Sequence, residues 1–342
     1  MWPMIGPRNP CDKAFTKSSP LAHNGDCALT FRNSSRGRPP PCGIMGSRCP
    51  RCVHAWPCGS MAAAIGLIDQ FQNSPAYQES PTVSAELPVS AASADPRVVL
   101  EVCVASLEDS VIAERAGADR LELNVALELG GLTPSSGLLA EVKQAVRIPV
   151  VAMVRPRGAG FVYSTSELRV LFRDAESLLA QGADGLAFGA LSLDRELIES
   201  VAREIVRLAG ARETVFHRAF DLVADPGRAA RQLADWGVTR ILTSGQASSA
   251  LDGSAALARW QRDLAGRIQV LPAGGVRPDN IVTLLEQTGC RQVHGSFRRF
   301  AHDLAQPVAD SCYGVTDAEM VAAARRNLDS WSSRSKRAVE PA

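Results

Sequence analysis

The sequence predicts a closed (β/α)8 barrel of the TIM type preceded by a long disordered extension. Three observations predict it. Eight short apolar runs recur along the chain, at 98–104, 119–125, 149–155, 185–190, 214–220, 240–244, 268–272 and 292–296. Runs of this length, rich in β-branched residues, read as buried parallel strands. Amphipathic segments separate them, and four of these segments leave through a glycine just ahead of a strand: Gly117, Gly182, Gly237 and Gly289. Glycine tolerates the left-handed conformation that ends a helix. Eight βα units over about 200 residues fit a closed barrel. An open doubly wound sheet would favour a glycine-rich dinucleotide loop after the first strand, and Val104-Ala105-Ser106 is not one.

Taken in order, residues 1–60 are rich in Pro, Gly, Ser and Arg and have no apolar period. They hold six of the nine cysteines and carry eight Lys or Arg against two Asp. Cys49-Pro-Arg-Cys52, with His54 and Cys58, has ligand types suited to zinc, but no second pair stands at a workable distance. A disordered tail is the expectation. No basic start followed by an apolar core marks a secretory signal, so a disulfide framework is a poor reading. The composition changes abruptly at Met61, so translation beginning there is an alternative expectation. A short helix over 61–71 and a Ser/Pro/Ala-rich linker over 73–96 follow. The expected organisation is an extension over 1–96, a barrel over 97–305 and a C-terminal helix or tail over 306–342.

Inside the barrel, Val98 to Val104 is apolar except for Glu101. Ser106 with Asp109 three residues later is a helix-start signature, because both side chains satisfy free amides of the first turn. Further helices are expected over 138–145, 167–181, 194–209, 226–236 and 279–288. Hydrophobic residues make up 46% and charged residues 21%, as in a soluble globular protein. A net charge of +1 gives no global field favouring nucleic acid or an anionic membrane. No apolar run approaches the roughly 18 residues of a membrane helix. The expected location is the cytoplasm.

Function in a barrel collects where strands end and βα loops begin. Alternation places Glu101 and Cys103 on one face of the first strand, and Glu122 and Asn124 on one face of the second. Arg155 and Arg157 close the third strand. His217, Arg218 and Asp221 sit on the fifth, Ser244 ends the sixth, Gly274-Gly275 follow the seventh, and His294 lies on the eighth. Unpaired, so many ionisable groups inside strands would be costly. Glu101 and Glu122 would otherwise form a buried ionic layer with Arg155 or Arg218. A lone Cys103 reads as a small buried hydrophobe, and Gly274-Gly275 as either a tight turn or an anion-holding backbone.

Seven motifs in register resemble the CutC family, named for copper homeostasis: Leu100-Glu101-Val102-Cys103-Val104, Gly117-Ala118-Asp119-Arg120-Leu121-Glu122-Leu123, Gly130-Gly131-Leu132-Thr133-Pro134-Ser135, Val154-Arg155-Pro156-Arg157-Gly158, Phe188-Gly189-Ala190-Leu191, Phe216-His217-Arg218-Ala219-Phe220-Asp221 and Leu242-Thr243-Ser244-Gly245. The resemblance runs from about Val98 to Arg298. It implies a TIM-type barrel, a cytoplasmic homodimer and a role in copper homeostasis, with copper binding suggested for some members. Cys103 matches the cysteine of the first motif, whereas Asn124 stands where family members often have a second cysteine. Ala273-Gly274-Gly275 replaces three glycines.

Two functions follow as expectations. The first is a copper-handling protein that binds Cu(I), with Cys103 as a ligand; Cu(I) prefers at least two soft ligands, and Asn124 is not one. The second is an enzyme on a small anionic or sugar-like metabolite. Arg155 and Arg157 would clamp an anion bidentately, with Arg218, Ser244, Gly274, Gly275 and His294 also lining the substrate. Glu101, Glu122 or His217 would act as general acid or base, and Asp221 or a neighbouring carboxylate would orient the imidazole.

Overall fold

A computed structural model describes residues 97–302 and 312–337. The extension, its Cys49–Cys52 pair and the helix expected over 61–71 lie outside the described residues. The chain forms eight parallel strands, β1 (Val99–Val104), β2 (Arg120–Leu123), β3 (Val150–Met153), β4 (Gly185–Phe188), β5 (Glu213–Phe216), β6 (Arg240–Thr243), β7 (Gln269–Pro272) and β8 (Gln292–Gly295). They pair in sequence order, and β8 pairs with β1. At the β7–β8 seam a side chain bridges the gap: Gln292 Nε2 donates to Val270 O at 3.3 Å. The result is the expected (β/α)8 barrel.

Seven helices alternate with these strands: α1 (Leu107–Arg115), α2 (Ser136–Ala145), α3 (Thr165–Ala180), α4 (Glu199–Ala209), α5 (Pro226–Asp235), α6 (Ser254–Asp263) and α7 (Ile281–Thr288). Their starts are written in the sequence. The Ser106 hydroxyl accepts from Asp109 N, Ser164 and Glu167 close a reciprocal capping box, and Asp225 caps α5 with Pro226 in the first turn. Their ends are too: Gly117, Gly182, Gly237 and Gly289 all have φ between +70° and +103°, the region that a β-carbon disfavours.

After β8 come an antiparallel hairpin, β9 (Arg298–His302) with β10 (Cys312–Thr316), and a long helix, α8 (Ala318–Arg337). Arg325 ties α8 back to the barrel through Asp119 Oδ2 and Val98 O, at 2.8 and 2.9 Å.

Strand alternation sorts the core into two. Outward residues such as Leu100, Val102, Leu121, Leu186 and Phe216 pack under the helices and are fully or almost fully buried. Each such burial is worth about 1.5–3 kcal/mol. The inward residues divide again. Val151, Met153, Ala187, Val215, Leu242, Leu271 and Ala273 make an apolar lining from β3 to β7. The inward residues of β1, β2 and β8 are mostly polar: Glu101, Cys103, Arg120, Glu122, Asn124, Gln292 and His294, all buried. A chain of pairs crosses the barrel floor. Arg240 grips Glu213 with two bonds and reaches Gln269, Gln269 accepts from Gln292, Gln292 accepts from Arg120, and Arg120 donates to Glu101.

Strand 5 departs from its expected span. It stops at Phe216, and Arg218–Leu222 forms a 3-10 turn. His217 causes the bend, because its Nδ1 accepts from Ala219 N at 3.2 Å and so caps the turn.

Candidate functional site

Four of the expected site residues meet at the C-terminal mouth, on β1, β2 and β8. The ligand atoms of Cys103, Glu122 and His294 all lie within 4.8 Å of one another, and all three residues are buried. Register explains it, since Glu101 pairs with His294 and Cys103 with Glu122 across adjacent strands. The His294 ring lies between two carboxylates. Its Nδ1 is 2.7 Å from Glu101 Oε1 and its Nε2 is 3.9 Å from Glu122 Oε2. With Nδ1–H donated to Glu101, Nε2 is the free ligand atom, the usual second-sphere arrangement of a metal-binding histidine. Asn124 Nδ2 donates to Glu122 Oε2 at 2.9 Å and to Cys103 Sγ at 3.4 Å. Glu122 Oε1 is buried with no hydrogen-bond partner.

The electrostatics of this cluster are those of excess negative charge. Burial opposes ionisation of Glu101, but the Arg120 guanidinium and the His294 bond outweigh it and hold the carboxyl well below the usual range. Burial, reinforced by the Glu101 charge, pushes Glu122 up. Burial and the Glu122 charge push the Cys103 thiol up. Burial alone would lower His294, yet the two carboxylates raise it. Three of the four groups thus favour holding a proton. The ionic layer expected for Glu101 does form, but with Arg120 rather than Arg155 or Arg218.

The opposite side of the mouth is built differently. His217 is buried, and burial followed by the Arg155 charge lowers it to about 3. It is therefore neutral. Because Nδ1 is an acceptor, the proton sits on Nε2, which is buried without a partner. Phe161 lies against the ring, with centroids 4.9 Å apart.

Two expectations are corrected here. Asp221 does not orient His217. It leaves the strand with the 3-10 turn and binds Thr243 Oγ1, Ser244 N, Ser244 Oγ and Arg218 Nε. Arg155 and Arg157 do not form an anion clamp either. Arg155 donates to the carbonyls of Leu129, Gly131 and Ala159 at 2.7–3.0 Å and stacks on Phe161. Arg157 pairs with Glu167 and binds the carbonyls of Gly158, Gly160 and Val162. Loop carbonyls need donors, and these guanidiniums supply them.

Arg218, Ser244 and Gly274 form a third group. Arg218 Nη2 donates to Ser244 Oγ at 3.1 Å, and a β-carbon on Gly274 would lie 3.5 Å from Arg218 Nη1. Gly275, with φ +69°, continues an exposed turn. The residue that the sequence reading missed is Arg120, the cation under the site. Its signal was available: it shares the inward alternation of Glu122.

A (β/α)8 barrel whose mouth gathers a thiol, a carboxylate and a carboxylate-braced imidazole is the class this geometry defines. The profile of the CutC family matches residues 98–299. The chain belongs to the CutC family. A protein of Treponema denticola named family protein CutC is 44% identical over 197 residues, covering 58% of this chain and 80% of its own. The human copper homeostasis protein cutC homolog is 44% identical over 214 residues, covering 63% of this chain and 78% of its own. The CutC crystal structure from Streptococcus agalactiae superposes with a TM-score of 0.56 at 30% identity, over 58% of this chain and 98% of that one. Among the described residues no helix is long and apolar enough to cross a membrane.

Proposed function

We propose that this protein takes part in copper homeostasis as a metal-binding barrel, holding one ion at the mouth through Cys103, Glu122 and His294. The names of its human and mouse relatives support the role. The observation that carries the reading is the convergence of three buried donors within 4.8 Å, with Glu101 fixing which imidazole nitrogen is free. A cytoplasmic location and a homodimer belong to the same reading. The full chain and its Cys103→Ala variant, loaded with copper or zinc in separate samples and freed of excess, test it by metal content. The six cysteines of residues 1–60 are common to both, so the difference isolates the barrel site. One ion fewer in the variant is expected with at least one metal; equal content with both sinks the site.

A second reading, an enzyme on a small anionic or sugar-like metabolite, is favoured by one observation. The neutral His217 keeps a buried, unpartnered Nε2–H. Such a donor suits an oxygen that gains charge during reaction. Arg218, Ser244 and Gly274 would then receive the anionic end. A screen of sugar phosphates by thermal shift, repeated on Arg218→Ala, is the check. A hit that survives the substitution removes Arg218 from that role.

A further inference from the structure

We propose that the ion this mouth selects is a divalent one of the zinc class rather than Cu(I). The inference rests on the metal-binding reading above. It begins with a charge count. A bound metal requires the Cys103 thiolate, the Glu122 carboxylate and a neutral His294. With Glu101 ionised against Arg120, the cluster carries three negative charges and one positive. A divalent ion brings that sum to zero. Cu(I) leaves one negative charge uncompensated among side chains that are all 11% exposed or less, and an uncompensated buried charge is costly. Arg298 also acts on the thiol, but it is half-buried, and solvent weakens its part.

The donor set agrees with the count. One sulfur, one imidazole nitrogen and one carboxylate oxygen are borderline as a group and match zinc, whereas Cu(I) seeks a second soft donor. The position that would offer it holds Asn124, and Asn124 does other work. Its Nδ2 donates to both the Glu122 carboxylate and the Cys103 sulfur, so it orients two ligands, and its Oδ1, buried and unpartnered, is a hard amide oxygen and not the soft donor Cu(I) seeks. Glu122 Oε1, buried and unpartnered, is an oxygen left for a hard or borderline cation. Three protein donors leave a further coordination position open.

The test uses the full chain with Cys11, Cys27, Cys42, Cys49, Cys52, Cys58 and Cys312 changed to Ser, so that Cys103 and the buried Cys290 are the thiols left. Zinc is titrated against a chromophoric chelator. Cu(I), supplied anaerobically as its acetonitrile complex, is then added in equimolar amount to the zinc-loaded protein. The expected result is one zinc equivalent that stays bound, and that Glu122→Gln weakens at least about tenfold. With Co2+ in place of zinc, a thiolate charge-transfer band should appear and vanish in Cys103→Ser. Release of the zinc to Cu(I), or zinc affinity indifferent to Glu122→Gln, overturns the divalent assignment and leaves the metal-binding reading standing. If neither ion binds, the metal-binding reading itself falls.

Discussion

The two halves of the barrel mouth treat a buried histidine in opposite ways. On the β1–β2–β8 side, His294 lies between Glu101 and Glu122 and is drawn toward its charged form. On the β3–β5 side, His217 lies beside Arg155 and Phe161 and is held neutral. Both rings are buried, so desolvation disfavours charge in each. Their neighbours decide the outcome. The first half is an electron-rich pocket awaiting positive charge; the second is a donor-rich wall suited to an oxygen. Both stand on one scaffold, because near the mouth β1 and β2 turn the carboxylates Glu101 and Glu122 inward and β8 turns His294 between them, where β3, β5 and β7 turn Val151, Met153, Val215 and Leu271 inward.

The harshest way to break this contrast is to remove the cation beneath the electron-rich half. Arg120 and Glu101 have side chains only 8% and 2% exposed. Arg120→Ala leaves a buried carboxylate without its ion pair, and such losses cost about 3–5 kcal/mol. Denaturant unfolding should show a loss of that size. A loss under about 1 kcal/mol would mean that His294 alone neutralises Glu101.

A milder substitution sharpens the contrast on the other half. His217 has a folded value of about 3 against an ordinary 6.5. As pH falls below 6.5, the unfolded chain takes up a proton that the native ring refuses, so stability is lost as pH falls, through the window down to 3. Between pH 6.5 and 5 this amounts to about 1.5 kcal/mol. His217→Gln should therefore reduce the loss of stability over that interval by about that amount, read as the difference between the two proteins' unfolding free energies at each pH. An unchanged slope would place a proton on His217 in the native state.

Much of the fold was legible because its signals are local. β-Branched runs and glycine helix exits set seven of the eight strands within a residue or two, and Ser106 announces its helix. Strand 5 overran because Phe216-His217-Arg218-Ala219-Phe220 still alternates like a strand; the bend comes from one histidine nitrogen capping a turn, which no period reveals. The site was legible as a set of inward residues but not as pairs. Cys103 looked solitary because its partners are 19 and 191 positions away, Glu122 and His294, and only closure of β8 on β1 brings the second one near. Arg155 looked like a ligand clamp because its role is to bind carbonyls of loops whose course is not written in any spacing.

The smallest expected effect tests the comparison at its edge. Arg218–Asp221 is chemically the same pair as Arg120–Glu101, on the donor-rich half, but the arginine side chain is 44% exposed. Water there already stabilises the guanidinium, so the pair itself is worth at most about 1 kcal/mol. Asp221 also keeps other donors if Arg218 is lost: Thr243 Oγ1, Ser244 N and Ser244 Oγ. Arg218→Ala should accordingly cost no more than about 1 kcal/mol in denaturant unfolding, several-fold less than Arg120→Ala. A loss as large as that of Arg120→Ala would show that Asp221 depends on its arginine despite those bonds. The two halves would then differ in the sign of their fields but not in how tightly they are built.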